Sequence, residues 1–181
     1  IPAGGGTTEM LVRALELVPE NVPNADAFPY VRRSFEAIGT AKVGTSGAEV
    51  IELGYLRESD IVEPSFELQA GRAKNVCLGL IKAGYRAPRP PRLWALGETA
   101  EAAFYTGVYG MKEAGWASEH DLLIASKLAH ILCGGNRIVG TPVTEQDILD
   151  LECEAFCSLC GTEKTQARIQ YMLMNNKPLR N

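Results

Sequence analysis

After Asp121 the chain runs Leu-Leu-Ile-Ala-Ser-Lys-Leu-Ala-His-Ile-Leu-Cys to residue 133, apolar almost all round and interrupted only by Ser126, Lys127 and His130. A helix of that kind has no solvent face to spare, so it must lie in the middle of a bundle with other elements around it. The rest of the chain supplies such elements. Thr7 is placed to cap a helix carrying Met10, Leu11, Ala14, Leu15 and Val18 at helical spacing, with Pro19 as its stop. A second helix starts near Pro29, a residue suited to a first turn, with Val31, Phe35 and Ile38 on one face. Ser46 and Glu49 have capping-box spacing and open a short helix through Leu53 that Gly54 closes.

A third long helix is expected over 66 to 83, with Phe66, Ala70, Ala73, Cys77 and Leu80 as its stripe. Four more follow at 98 to 114, 118 to 133, 144 to 160 and 162 to 175. Ser118 is the cap of the second of these, and Thr144 with Asp147 repeats the capping-box spacing in the third. Strand alternation is absent, so the expected fold class is all-α. The stretch Arg86-Ala-Pro-Arg-Pro-Pro-Arg92 cannot be helical and is the natural boundary. A stiff connector is its simplest role; a polyproline ligand is the alternative.

A net charge of −4 and a pI near 5.3 argue against a surface that tracks nucleic-acid phosphates. Apolar runs fall short of the roughly 18–20 residues a membrane span needs, and a secretory signal pattern is lacking. Five cysteines, three of them at 153, 157 and 160, do not form a disulfide framework. They suggest a reducing, cytoplasmic compartment and mostly buried thiols.

The Cys153-x3-Cys157-x2-Cys160 spacing matches the iron–sulfur motif of radical enzymes that use S-adenosylmethionine. The segment is helical by capping and periodicity, however, and its outer Cα atoms would stand about 10 Å apart along the axis, too far for three thiolates to converge. Cys153 and Cys160 instead share a face with Leu149 and Phe156, which reads as a core stripe. Zinc would need four ligands, and the nearest histidine, His130, lies on another helix. His120 and His130 are read as surface or internally satisfied helix residues. The carboxylate pairs Glu49 with Glu52 and Glu152 with Glu154 are read as solvated faces. No metal site is expected.

The opening Ile1-Pro2-Ala3-Gly4-Gly5-Gly6-Thr7 lacks an initiator methionine and any element leading into its glycines, so a fragment is expected. Glycines before a helix can present backbone N–H groups to an anion or a polarised carbonyl. The spacing is not that of a nucleotide-binding loop.

This opening resembles the Ile-Pro-Gly-x-Gly-Gly-Thr segment of the crotonase (enoyl-CoA hydratase) superfamily. Phe35-Glu-Ala-Ile-Gly-Thr-Ala-Lys-Val-Gly-Thr-Ser46 followed by Ala48-Glu-Val-Ile-Glu-Leu-Gly-Tyr-Leu56 is similar to the same family's stretch in which a short helix ends in Leu-Gly-Leu. Beyond residue 83 the chain resembles the extension of bacterial bifunctional enzymes that place 3-hydroxyacyl-CoA dehydrogenase domains first and the hydratase last. The matching pieces are Ala83-Gly-Tyr-Arg-Ala-Pro-Arg-Pro-Pro91, Gly97-Glu-Thr99, Ser118-Glu-His-Asp121, Cys133-Gly-Gly135, Leu149-Asp-Leu-Glu152, Lys164-Thr-Gln-Ala-Arg168 and Lys177-Pro-Leu-Arg-Asn181.

The resemblance implies the end of a crotonase-like domain without its sheet over 1–85 and a helical bundle extension over 86–181. The longer enzyme would hydrate trans-2-enoyl-CoA and oxidise the 3-hydroxyacyl-CoA product with NAD. Its catalytic glutamates, dehydrogenase histidine and nicotinamide-binding glycines would all lie upstream, so this chain carries no catalytic residue and no cofactor. Ala3, Gly4 and Gly5 are the candidate substrate-binding residues. Ala3 stands where the family has a glycine whose N–H faces the catalytic water. A homo-oligomer is expected from subunit contacts, and the fragment by itself is expected to self-associate, because removing the sheet should bare the apolar faces at 10–18 and 31–38. A thiolase is the candidate further partner. The alternative is a stand-alone helical interaction module without catalysis.

Overall fold

A computed structural model describes residues 4 to 181. The elements in chain order are α1 (Gly6–Glu16), α2 (Phe28–Gly39), α3 (Gly47–Glu52), a 3-10 turn (Phe66–Leu68), α4 (Gln69–Lys82), β1 (Leu93–Trp94), α5 (Glu98–Glu113), α6 (Glu119–Leu132), β2 (Pro142–Val143), α7 (Glu145–Cys160) and α8 (Glu163–Asn175). Among the described residues the fold is all-α apart from one antiparallel two-residue pairing, Leu93 opposite Val143 and Trp94 opposite Pro142. It forms two compact units. One joins residues 4 to 43 to Pro91–Asn181; the other is Gly44–Pro90. The second unit closes inside the proline–arginine stretch, but the units do not follow the 85/86 line, because α1 and α2 pack with the later helices.

Local chemistry sets most helix ends in the first unit. Ser118 accepts from the Asp121 N–H and the Asp121 side chain returns to the Ser118 N–H; Thr144 and Asp147 make the same reciprocal pair. Thr162 caps α8 through the Thr165 N–H. At the end of α6 the Gly135 N–H reaches His130 O and the Gly134 N–H reaches Ile131 O, the paired closure a left-handed residue permits. Leu96 and Gly97 both donate to Cys133 O, so the segment behind β1 satisfies a carbonyl the helix leaves open.

As its sequence requires, α6 is central: it touches α1, α2, α5 and α7. Leu128, Ala129, Ile131, Leu132 and Cys133 are buried on it. Around it pack Leu11, Leu15 and Val18 of the first helical region, Val31 and Phe35 of α2, Phe104 of α5 and Ile148 of α7. This overturns one expectation. The apolar faces at 10–18 and 31–38 are not bared by the lack of a sheet, since α6 and α7 cover them. The self-association inferred from those faces loses its ground.

In the second unit the expected stripe of the third long helix is not a core stripe. Among the described residues none in α3, the 3-10 turn or α4 is buried, and Phe66 is 86% and Ile81 70% exposed. Helical periodicity is present there without packing against it. A 14-residue helix unsupported by tertiary contacts is marginal in water. Hydrogen exchange read by NMR should therefore find α4 amides the fastest of the long helices. Those of α6 should be slower by about three orders of magnitude, because α6 opens only with the whole unit. Equal protection in the two helices would contradict this.

Candidate functional site

Gly4 and Gly5, two of the three candidate substrate-binding residues, form the turn into α1; Ala3 lies outside the described residues. Both glycines have positive φ, and Gly5, at φ 88°, is the N-cap. Thr7 is therefore not the cap expected from sequence but a residue of the first turn. A glycine cap has no side chain to accept from the open N–H groups of that turn, so another acceptor must serve them.

That acceptor is Glu152 of α7. Thr7 N–H donates to Oε1 at 3.2 Å, Thr8 N–H to Oε2 at 3.2 Å, and the Thr8 hydroxyl to Oε2 at 2.8 Å. The carboxylate is 2% exposed, and Thr7 and Thr8 are buried with it. A negative group at a helix N-terminus is held by the open N–H groups and the helix dipole together. The glycine run does lead to an anion position, as its composition suggests, and the anion is part of the chain. One turn earlier on α7, Leu149 Cδ2 lies 3.5 Å from where a Cβ on Gly5 would sit.

Glu152 was expected on a solvated face, and Cys153 and Cys160 on a core stripe. The structure buries Glu152, exposes Cys153 and leaves Cys160 half-buried. The buried line of α7 is Ile148, Glu152, Ala155 and Leu159, while Cys153 and Cys157 are exposed, as is Cys77 on α4. Of the five thiols only Cys133 is fully buried, and burial, helped by the charge of Glu101, pushes it up to about 12. Cys153 and Cys157 hydrogen-bond to each other, which holds the Cys153 thiol above its usual range. The helix is continuous through all three clustered cysteines. Among the described residues no three His, Cys, Asp or Glu side chains are grouped as a metal ion would require.

Both histidines are internally engaged, but His120 is not at the surface. It is 4% exposed, with Nε2 2.9 Å from Thr165 Oγ1. Beside it Arg168 reaches Asp121 Oδ1 at 2.8 Å and the side chain and carbonyl of Asn181. Together these bonds tie α8 and the last residues to the start of α6. Burial, then the positive charges of Arg168 and Lys164, hold the His120 imidazole below its ordinary value of 6.5, against the smaller pull of Asp121. The folded state thus prefers neutral His120, and below about pH 6.5 the unfolded chain binds the extra proton. Its stabilisation is complete above that pH and is lost as pH falls through the depressed folded value. Urea midpoints measured from pH 8 to pH 5 should fall, and His120→Gln should flatten that slope; an equal slope in the variant would refute the assignment.

Sequence reasoning also missed a pairing across α5 and α6. His130 Nδ1 stands 3.0 Å from Glu101 Oε1. Beside the pair is a groove of about 290 Å³ lined by Glu98, Glu101, Ala102, Tyr105, Ser126 and Ala129. The Ser126 hydroxyl donates to Leu122 O at 2.8 Å, so it is committed to its own helix and is not aligned as a nucleophile for His130.

Over all 181 residues the chain is 39% identical to a probable 3-hydroxyacyl-CoA dehydrogenase of Bacillus subtilis (strain 168), and it spans 22% of that protein's length. No family model matches the chain, and no solved structure matches it. Among the described residues no helix is long and apolar enough to cross a membrane.

Proposed function

We propose that this chain is the helical closing portion of a longer cytoplasmic fatty-acid β-oxidation enzyme. The observation that carries the reading is similarity along the full 181 residues to a protein named for 3-hydroxyacyl-CoA oxidation. The hydratase half of the proposal rests on the resemblance of residues 1–7 and 35–56 to the crotonase pattern. In the longer enzyme, water would add across the C2–C3 double bond of trans-2-enoyl-CoA. Hydride would then leave C3 of the 3-hydroxyacyl-CoA for NAD, with the hydroxyl proton released. A thiolase, which consumes the 3-ketoacyl product, is the expected further partner.

The chain itself is assigned a structural role, completing the wall of the acyl-CoA pocket. Its residues do not fit a dinucleotide. The helix N-terminus behind the glycine run, where a pyrophosphate would be held, is filled by the Glu152 carboxylate. A second anion would be repelled there. NAD is accordingly assigned to the upstream part.

The resembling pieces meet one another in space, which favours this reading over a chance match. The glycine opening meets Glu152 of the 149–152 piece. The 118–121 piece meets Thr165, Arg168 and, through Arg168, Asn181. Such internal pairing is what a shared fold would retain.

The test is hydration of crotonyl-CoA, followed at the thioester enone absorbance, and NAD-dependent oxidation of 3-hydroxybutyryl-CoA. Each is measured on this chain and on the chain extended upstream. Activity only in the extended protein supports the proposal. Activity in neither favours a stand-alone helical module, and activity in this chain alone would mean that it holds catalytic residues after all.

A further inference from the structure

Cys153 and Cys157 stand one helical turn apart on α7, both exposed, on the side away from the buried line of Ile148, Glu152, Ala155 and Leu159. Their thiols hydrogen-bond to each other, so the two side chains are turned toward the same point above the helix surface. The other thiols lack such a partnership: Cys133 is buried, Cys160 is half-buried, and Cys77 is exposed on α4 in the other unit.

The spacing decides what the pair can do. Helix residues four apart have Cβ atoms about 5–6 Å from each other, whereas a disulfide needs about 3.8 Å. Direct oxidation of the pair would have to unwind a helix that is continuous from Glu145 to Cys160. One soft atom between the sulfurs removes the conflict. Two bonds of about 2.3 Å, the length of a zinc–thiolate bond, let the sulfurs stand about 3.5–4 Å apart.

Charge narrows the ligand further. Asp150 and Glu154 lie on either side of Cys153, both exposed, and α7 carries no Lys, Arg or His along its length. An anionic reagent is repelled there and an uncharged one is not. The Cys157 hydrogen bond, with the charge of Asp150, holds the Cys153 thiol above its usual range, so it meets a reagent as S–H.

We propose that Cys153 and Cys157 form a dithiol site for an uncharged trivalent arsenical, R–As=O. Two As–S bonds form, while the As=O bond and both S–H bonds break. The oxygen leaves as water with the two thiol protons, arsenic stays trivalent, and no oxidant is required. The second thiol closes on a reagent already held by the first, at high effective concentration, which sets the pair apart from any single thiol.

The probe is phenylarsine oxide, added to the folded full chain and followed by intact mass and by titration of free thiols. One equivalent should bind per chain, with the mass of the reagent less one water, and two thiols should be lost. The adduct should persist in excess glutathione, which strips an arsenical from a single thiol. Cys153→Ser and Cys157→Ser should each weaken retention about 100-fold or more, because one As–S bond is left. Cys77→Ser and Cys160→Ser should retain the probe as the wild type does. Helical circular dichroism should not change on binding, since the bridge closes away from the buried line of α7. Wild-type retention in folded Cys153→Ser or Cys157→Ser would overturn the proposal, as would its loss in folded Cys160→Ser. So would unwinding on binding. A 153–157 disulfide formed by hydrogen peroxide with the helix signal intact would overturn it as well, by showing that the Cβ atoms approach more closely than the helix spacing allows.

Discussion

Replacing Phe104 by alanine is expected to destabilise the first unit by about 3–5 kcal/mol, a large share of the roughly 5–15 kcal/mol that holds a domain of this size together. Phe104 of α5 is 4% exposed. Its ring stacks on Phe28 at 4.8 Å between centroids and on Phe35 at 4.5 Å, both from α2. Truncation would remove two aromatic contacts and their buried area together, and rigid helices on either side could not close the gap. The next residue, Tyr105, is 45% exposed and is a fair control; its replacement should shift stability by about 0.5 kcal/mol or less. Urea unfolding followed by circular dichroism would measure both. Comparable midpoints for the two variants would mean that the aromatic stack is not a main tie between α5 and α2.

Two glycine-to-alanine changes should act in opposite directions. At Gly134, φ is 85°, and an added Cβ would lie 2.9 Å from Ala95 Cβ and 3.0 Å from Ala95 Cα. The left-handed backbone alone costs a side chain about 1–2 kcal/mol. Pushing the buried strand segment aside costs about 1–3 kcal/mol more. It would also strain the bonds from Leu96 and Gly97 to Cys133 O that close α6. Gly134→Ala should therefore lower stability by about 2–5 kcal/mol. Gly107 sits in the middle of α5 with nothing within 4 Å of its would-be Cβ. There alanine should raise stability by about 0.5–1 kcal/mol, because it loses less backbone entropy on folding. Denaturation midpoints moving the same way in both variants would refute the packing at the end of α6.

The candidate site was only half legible in the sequence. Three glycines before a helix announce a turn and an anion position, and both are present. The anion was missed because α7 offers two stripes with the same helical spacing, one residue out of step. Leu149, Cys153, Phe156 and Cys160 form the more apolar one; Ile148, Glu152, Ala155 and Leu159 form the other. Hydrophobicity favours the first. The protein buries the second, because the donors that satisfy Glu152 sit on α1, where no local pattern could reveal them. A carboxylate at the spacing of an apolar stripe was the one available signal. The Glu101–His130 pair was hidden for the same reason, since its members belong to different helices.

The elements themselves were written in neighbouring residues. The last four helices run from 98, 119, 145 and 163, within a residue of where the sequence places them. Ser118, Thr144 and Thr162 make their bonds three residues on, and glycine or a turn ends each helix nearby; hydrogen bonds of that range need no knowledge of the fold. The central place of α6 was equally plain from its lack of a polar face. What required the assembled chain was the facing of each helix. The stripes of α1 and α2 are apolar whatever covers them, and a sequence without strand alternation leaves them bare, whereas the fold supplies α6 and α7 as cover. The α4 stripe is just as periodic and finds no such cover. Periodicity records that a face can be buried; the partner that buries it is a long-range contact, and only packing selects it.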